Sequence, residues 1–256
     1  MSSDREDVKR EVAAANRVLA NLGLAARVTA ALGHASMRVP SEPDHFFVKG
    51  REYEFDALAI MEPDDMVMCD TEGFLVAGRS GLTQCSEVKI HACIYKTHPK
   101  VQAIVHVHPR YTILMSVIIG SLKPMRQEGA QMLRKPLPVY PHVKTIQSDA
   151  EGMEVATLLG DSPAILLRGH GAVTTGTKLS EAVMGMAQLE EQAQMNYLAY
   201  CAQGKDYVYL QDNLLDEMLD RTPLYDHPHF RDVLKGREPQ RDGTWNYQRR
   251  SATRRN

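Results

Sequence analysis

The spacing of hydrophobic residues along the chain changes repeatedly between that of a helix and that of a strand, which predicts a mixed α/β protein. Residues 7–22 carry apolar side chains three and four positions apart and are followed by Gly23, the pattern of an amphipathic helix and its end. Apolar runs with strand character come next, at 35–39, 46–49, 66–70 and 74–77. The last two runs are joined by a short polar turn with a glycine and predict a hairpin.

The second half of the chain continues this alternation. Helical spacing begins at Ser86 and recurs at 111–119, 149–160 and 177–203, and strand-like runs end at His108 and Leu167. Prolines interrupt 137–140, which we expect to be an extended edge at most. Hairpins combined with helix–strand units favour an α/β fold in three layers, α/β/α, with a central, largely antiparallel mixed sheet.

Composition and charge narrow the class of protein. The 256 residues are 43% hydrophobic, enough for one sizeable core. A formal net charge of −2 lacks the excess of positive charge that binding to nucleic acid or an anionic membrane favours, so we expect neither as a partner. The four cysteines lack Cys-x-x-Cys spacing, and no signal-peptide pattern or membrane-length apolar run is present. We therefore expect a cytoplasmic location.

Two short strings of the sequence contain histidines that could together form a metal site. His106 and His108 lie at the predicted end of a strand, where alternate side chains point to one face and bring both imidazoles to the same point. His170 lies between Gly169 and Gly171, after another strand. Three histidines leave one coordination position open, as in catalytic zinc sites. The alternative is that these histidines are half-buried strand residues and a turn cap.

A carboxylate can complete this set. Ser86 has the character of a helix N-cap, which places Glu87 in the first turn, where the helix dipole favours its ionised form. Beside a cation, such a carboxylate can be a ligand or a general base. The alternative is a glutamate that only improves the helix terminus. His91, one turn later, can face the same site or pack the helix.

The order and spacing of these strings resemble the class II aldolase and adducin family, over roughly residues 8–205. The matching strings are Gly33-His34-Ala35-Ser36-Met37-Arg38, Cys85-Ser86-Glu87, His106-Val107-His108-Pro109 and Arg168-Gly169-His170-Gly171. The resemblance implies that His106, His108 and His170 bind a divalent metal ion. Zinc is the expected metal, and manganese, cobalt and iron are the alternatives. It also implies that Glu87 binds the metal or transfers a proton, and that the protein forms a homotetramer.

The chain departs from the sugar-phosphate aldolases of this family at two positions. Those enzymes carry Gly-Asn and Ser-Ser-Glu where this chain has Gly33-His34 and Cys85-Ser86-Glu87, so an amide and a hydroxyl that serve the substrate are replaced. A phosphate-binding turn is also unclear, although Lys49-Gly50 lies near its expected place. The Gly-His-x-Ser form resembles family members that decarboxylate hydroxylated aromatic or keto acids.

We therefore expect a divalent-metal-dependent carbon–carbon lyase, favoured as a decarboxylase of a non-phosphorylated hydroxylated aromatic or keto acid. Its partner is then a small carboxylic acid substrate. The expected catalytic residues are Glu87 and His34, and the expected substrate contacts are Ser36, Ser86 and Arg168. The alternatives are a class II aldolase that cleaves a sugar phosphate or hydroxy-keto acid, and a non-haem iron oxygenase on the same scaffold. A non-catalytic module, as in adducin, is disfavoured because all four metal-site residues are present.

The end of the chain has a different character. We expect residues 1–205 to form the catalytic domain and residues 206–256 to form a C-terminal extension that packs on or trails from it. His227 and His229 repeat the His-x-His spacing, but Pro228 and the lack of a strand pattern argue against a second metal site there.

Overall fold

Nine strands form one sheet in the computed structural model, which describes residues 3–222, 226–235 and 243–253. The strands are β1 (His34–Val39), β2 (Glu42–Arg51), β3 (Met66–Asp70), β4 (Leu75–Ala77), β5 (Thr83–Gln84), β6 (Ala103–Val107), β7 (Val139–Tyr140), β8 (Ala164–Leu167) and β9 (Gly171–Gly176). The helices are α1 (Ser3–Asn21), α2 (Val88–Thr97), α3 (Arg110–Ile118), α4 (Asp149–Leu159), α5 (Leu179–Gln203), α6 (Asp212–Glu217), α7 (Arg231–Leu234) and α8 (Gly243–Thr253).

The sheet is mixed and almost entirely antiparallel. Its order is β4-β3-β2-β1-β6-β9-β8-β7, with β5 paired to β2 beside this path. Every pairing is antiparallel except that of β7 with β8 at the edge. The predicted sheet type is therefore confirmed, including the extended edge at residues 139–140.

Side chains alternate between two cores, one on each face of the sheet. In β6, Val105 packs into a cluster with residues of α1, α3 and α5, whereas Ile104 packs into a cluster with residues of α2 and α4. This alternation is what a strand covered by helices on both faces requires. The three-layer α/β/α arrangement is confirmed, and β6 lies near its centre.

Two local expectations differ from the structure. Strand β9 was not predicted, because its flanking glycines have the composition of a turn, although Val173, Thr174 and Thr175 are residues that favour strands. The helix after Ser86 begins at Val88, with Glu87 at the N-cap position, so Ser86 as N-cap is wrong. The physical reason is that Ser86 lies inside a turn, closed by a hydrogen bond from the backbone nitrogen of Val88 to the carbonyl oxygen of Cys85, so the helix begins only after this turn.

The C-terminal segment returns to the first helix. Helix α8 packs against α1, with Trp245 and Ala252 buried in the same core as the sheet. An ion pair joins Arg249 to Glu11 of α1. The boundary at residue 205 stays a prediction. In the described part of the chain, His227 and His229 have no third ligand-type side chain grouped with them.

Among the described helices, none combines the length and the apolar character that crossing a membrane requires.

Candidate metal centre and active site

The central strand β6 positions the first histidine of the site. His106 is paired with His34 of β1 on one side and with Val173 of β9 on the other. His108 follows just after the end of β6. The next segment is fixed by Glu190 of α5, whose carboxylate accepts hydrogen bonds from two backbone nitrogens in the first turn of α3, both at 2.8 Å. The His-x-His pair is thus held from both neighbouring strands and from α5.

Four side chains converge at the end of β6, namely Glu87, His106, His108 and His170, and their potential ligand atoms all lie within 4.8 Å of one another. The Nε2 atoms of His106 and His108 are 3.2 Å apart. The Oε2 atom of Glu87 lies 3.3 Å from His106 Nε2 and 3.4 Å from His170 Nε2. The structure therefore brings together the three histidines and the glutamate that stood out in the sequence.

The backbone of β9 sets the protonation pattern of His106. Its Nδ1 lies 3.0 Å from the carbonyl oxygen of Ala172, which can only accept a hydrogen bond, so Nδ1 carries the proton. In the neutral ring, Nε2 then presents a lone pair toward His108 and Glu87. A carbonyl behind the ring is the arrangement that commonly orients metal-ligating histidines.

Glu87 is the buried anion of the cluster. Its side chain is 6% exposed, and its Oε1 accepts a hydrogen bond from the backbone nitrogen of Ile146 at 2.9 Å. Burial raises the pKa of Glu87, but His106 and His170 lower that pKa by more, and it ends well below the usual range. The carboxylate is therefore ionised at neutral pH, with Oε2 directed to the histidines.

The donor set and its spacing fit a divalent cation. Burial, followed by the nearby His106 and His170, lowers the pKa of His108 to about 3, so this ring is neutral and can ligate. Two ligand atoms on a tetrahedral zinc ion are about 3.3 Å apart. Three pairs of ligand atoms in the cluster are separated by 3.2, 3.3 and 3.4 Å. Neutral imidazoles with a carboxylate are also the donors that zinc prefers.

Glycines allow the strands of the site to approach closely. A Cβ atom on Gly171 would lie 2.5 Å from the carbonyl oxygen of Val107 and 3.3 Å from Cε1 of His106. Gly33 has φ of +104°, and a Cβ there would lie 2.7 Å from the carbonyl oxygen of His106. The backbone on both sides of β6 therefore has no room for a side chain at these positions.

A second set of polar side chains lies buried beside this cluster. Nδ1 of His34 is 2.6 Å from Nε2 of His91, and the Oγ of Ser36 is 2.6 Å from Nδ1 of His91 and 2.8 Å from Oη of Tyr95. All four residues are at most 4% exposed. Cys85 approaches the two histidines as well, but a nitrogen–nitrogen distance of 2.6 Å is a hydrogen bond and too short for two ligands of one metal ion.

Sequence reasoning found part of this second set. The motif at residues 33–38 predicts His34, and the spacing after Glu87 is compatible with His91 in the site or in helix packing, whereas no motif indicates Tyr95. The available signal was the spacing of Glu87, His91 and Tyr95, which are successive i, i+4 positions. Which strand such a row faces depends on the pairing of distant segments, which local spacing does not contain.

The expected substrate contacts lie in different surroundings. Ser86 and Arg168 are exposed, next to Glu87 and two residues before His170 respectively, and their roles stay predictions. Ser36 is fully buried: its hydroxyl contacts His91 and Tyr95 and has no face open to a substrate.

The chain belongs to the class II aldolase family. A sequence model of the Class II Aldolase and Adducin N-terminal domain matches residues 10–197. The family resemblance carried by the four motif strings is therefore confirmed.

The most informative relatives include both decarboxylases and aldolases. The chain is 29% identical to the 3,4-dihydroxyphthalate decarboxylase of Rhodococcus jostii over 225 residues, which cover 85% of this chain and 90% of that protein. Among solved structures, the L-fuculose 1-phosphate aldolase of Glaciozyma antarctica matches with a TM-score of 0.71 and 25% identity, covering 84% of this chain and 81% of that one. An aldolase II superfamily protein of Pseudomonas syringae matches with a TM-score of 0.79 and 21% identity, covering 98% and 94%, and shares the fold. Decarboxylation and aldol cleavage are both lyase reactions, in agreement with the lyase expected from the sequence.

Proposed function

We propose that this protein is a divalent-metal-dependent decarboxylase of a non-phosphorylated, hydroxylated aromatic or keto acid. The observation that carries the proposal is the position of His34. It lies directly opposite His106 across β1 and β6, with ring centroids 5.3 Å apart, where the sugar-phosphate aldolases have an amide. The similarity to a 3,4-dihydroxyphthalate decarboxylase over most of both chains supports the same reaction type.

The side chains of the cluster suit the proton and charge changes of decarboxylation. A divalent cation on His106, His108 and His170, zinc in our proposal, would supply Lewis acidity to a substrate oxygen next to the scissile bond. Loss of carbon dioxide leaves the electron pair of the broken bond on the substrate carbon, where a proton must replace the carboxyl group. Glu87 is a buried carboxylate whose Oε2 is directed to the histidines, and this position lets it take a proton from the substrate hydroxyl and return it to that carbon.

The cation near the expected phosphate site is already neutralised. Lys49 is 2% exposed, and its ammonium group donates to both carboxylate oxygens of Asp56 and to the carbonyl oxygen of Ala31. A buried lysine held by a carboxylate has no free charge for a phosphate group. This pairing favours a non-phosphorylated substrate over a sugar phosphate.

We propose a homotetramer and a cytoplasmic enzyme, on the family resemblance and on the sequence features described above. Exposed apolar side chains such as Val117 and Leu198 are consistent with further burial between subunits.

The test is a comparison of products from the metal-loaded enzyme. We expect carbon dioxide release from 3,4-dihydroxyphthalate or a related ortho-hydroxylated acid, without oxygen consumption, and no cleavage of L-fuculose 1-phosphate. The variant His34→Asn should lower decarboxylation by at least about tenfold. The matched control is His229→Asn, which changes an exposed histidine outside the site. Efficient cleavage of the sugar phosphate would establish the aldolase alternative instead, and stoichiometric oxygen uptake would establish the oxygenase.

A further inference from the structure

A chain of three hydrogen bonds runs from His34 into the protein interior. It passes from Nδ1 of His34 to Nε2 of His91, from Nδ1 of His91 to Oγ of Ser36, and from Oγ of Ser36 to Oη of Tyr95. The successive distances are 2.6, 2.6 and 2.8 Å. The first residue lies opposite His106 in the sheet, and the last lies in the core between β2 and α2.

The three hydrogen bonds can all point in either of two directions, toward His34 or toward Tyr95. Each neutral imidazole carries one N–H, and each hydroxyl carries one O–H, so four protons serve three hydrogen bonds. One proton is left over at an end of the chain. In the first arrangement the Tyr95 hydroxyl donates to Ser36, Ser36 donates to His91, and His91 donates to Nδ1 of His34. The extra proton is then on Nε2 of His34. In the second, His34 donates from Nδ1 and the extra proton is on the Tyr95 hydroxyl.

The surroundings of Tyr95 decide between the two arrangements. Within the described residues, its hydroxyl has one hydrogen-bond partner, Ser36. Its ring contacts Phe46, with centroids 4.9 Å apart, and the guanidinium carbon of Arg38 lies 4.6 Å from the ring centroid. A guanidinium has no acceptor atom. A buried O–H without an acceptor disfavours the second arrangement on the order of ten- to a hundredfold.

We propose that Tyr95, Ser36 and His91 are positioning residues that hold His34 as the tautomer protonated at Nε2, so that His34 presents a hydrogen-bond donor to the carboxyl group of the substrate. The role toward a carboxyl group rests on the proposed decarboxylation. The tautomer itself does not, because it follows from the hydrogen bonds of the protein alone.

In the first arrangement His34 is neutral and donates a hydrogen bond from Nε2. His34 and His91 are both at most 4% exposed, and burial disfavours the charged form of an imidazole. If His34 lost its Nε2 proton, each of the three hydrogen-bonded protons would have to shift one position toward His34, and Tyr95 would be left as a buried tyrosinate. Burial raises the pKa of Tyr95 and opposes this.

Neutron diffraction from crystals of the zinc-loaded enzyme in heavy water tests the tautomer directly. We expect deuterium on Nε2 of His34 and on Nε2 of His91, and none on Nδ1 of either ring. Deuterium on Nδ1 of His34 overturns the proposal. The measurement needs neither substrate nor turnover, so its outcome is separate from that of the proposed function.

A double-mutant comparison tests the consequence for the reaction. Ser36→Ala removes the hydroxyl that donates to His91, so the tautomer of His34 is no longer dictated. We expect kcat/KM for 3,4-dihydroxyphthalate to fall about tenfold when residue 34 is histidine. In the His34→Gln background, Ser36→Ala should change kcat/KM less than about twofold, because the glutamine amide donates a hydrogen bond without having tautomers.

The control for this comparison is Ser180→Ala, which removes another buried serine hydroxyl, on α5, and should leave kcat/KM unchanged in both backgrounds. An equal loss from Ser36→Ala in both backgrounds would show that Ser36 acts through packing, and would refute the positioning role. If Ser36→Ala does not fold, the proton positions from neutron diffraction still decide the proposal.

Discussion

Replacing Gly171 with alanine tests whether the close approach of β9 to β6 holds the metal ligands in place. The added Cβ would lie 2.5 Å from the carbonyl oxygen of Val107, whereas such contacts essentially never fall below 3.0 Å. The two strands must therefore separate by at least about 0.5 Å, the difference between these distances. His170 precedes Gly171 directly and His106 precedes Val107, so the shift acts on two proposed ligands.

The size of this shift sets the expected result. Metal–ligand distances tolerate deviations of about 0.2 Å, and disturbances of the groups supporting the ligands typically weaken metal binding about 10- to 100-fold. We expect Gly171→Ala to lower zinc affinity by this factor. Overpacking of this kind also costs about 1–3 kcal/mol of stability, which corresponds to a decrease in Tm of several degrees.

Competition with a chromophoric chelator measures the zinc affinity, and circular dichroism measures the fold and Tm. The matched control is Gly185→Ala in α5, where a Cβ would meet only Cε of Met132, at 3.4 Å, an ordinary contact. This control should bind zinc like the wild type. Wild-type affinity in Gly171→Ala would refute the reasoning, because the strand separation would then not reach the ligands. An equal loss of zinc affinity in Gly171→Ala and Gly185→Ala would also refute the reasoning.

Three further predictions concern the metal centre and the assembly, and one concerns pH. The wild type should bind about one divalent ion per chain, and His106→Ala/His108→Ala should lose metal and activity; full metal content in that variant, measured by atomic absorption, contradicts the assignment. Glu87→Gln should keep the fold and much of the metal but reduce turnover by a factor on the order of 10², and near-normal steady-state rates would leave Glu87 without a role in proton transfer. Sedimentation should show a tetramer at micromolar concentration, and a monomer alone would contradict this. The hydrogen bond from the Gln147 backbone, with Lys144, lowers the pKa of Glu151 to about 2 from 4.5, so its carboxylate stabilises the fold above about pH 4.5 and loses this effect as the pH falls toward 2. Glu151→Gln should therefore lower the urea midpoint at pH 7 but not at pH 2, and an equal decrease at both values would contradict this assignment.

The metal-binding strand could be predicted because its signals are local. A β-branched run, the alternation of His106 and His108, and Pro109 as a stop all lie within nine residues of sequence. Strand β9 could not be predicted in the same way. Its β-branched residues are enclosed by glycines, and the need for Gly171 arises only from the approach of the Val107 carbonyl, which belongs to another strand.

The second buried set shows the same limit for the site. The spacing along α2 places His91 and Tyr95 on one helix face, but only the packing of α2 against β1 brings them to His34 and Ser36. Likewise, Glu87 at a helix start could be foreseen, whereas its bond to Ile146, 59 positions away, depends on the path of a loop. Chemistry carried by one segment is visible in sequence, and hydrogen bonds between segments are not.

The docking of α8 on α1 gives the protein a built-in optical reporter. Trp245 is the single tryptophan of the sequence, and at 6% exposure it lies in the core at the contact between the two ends of the chain. Its fluorescence therefore reports the attachment of the last helix, whereas far-ultraviolet circular dichroism reports the helices and sheet as a whole. If the two signals change together in a denaturant titration, the C-terminal extension unfolds as part of the domain. If the emission shifts first, α8 is a separate cooperative unit that detaches while the metal centre remains folded.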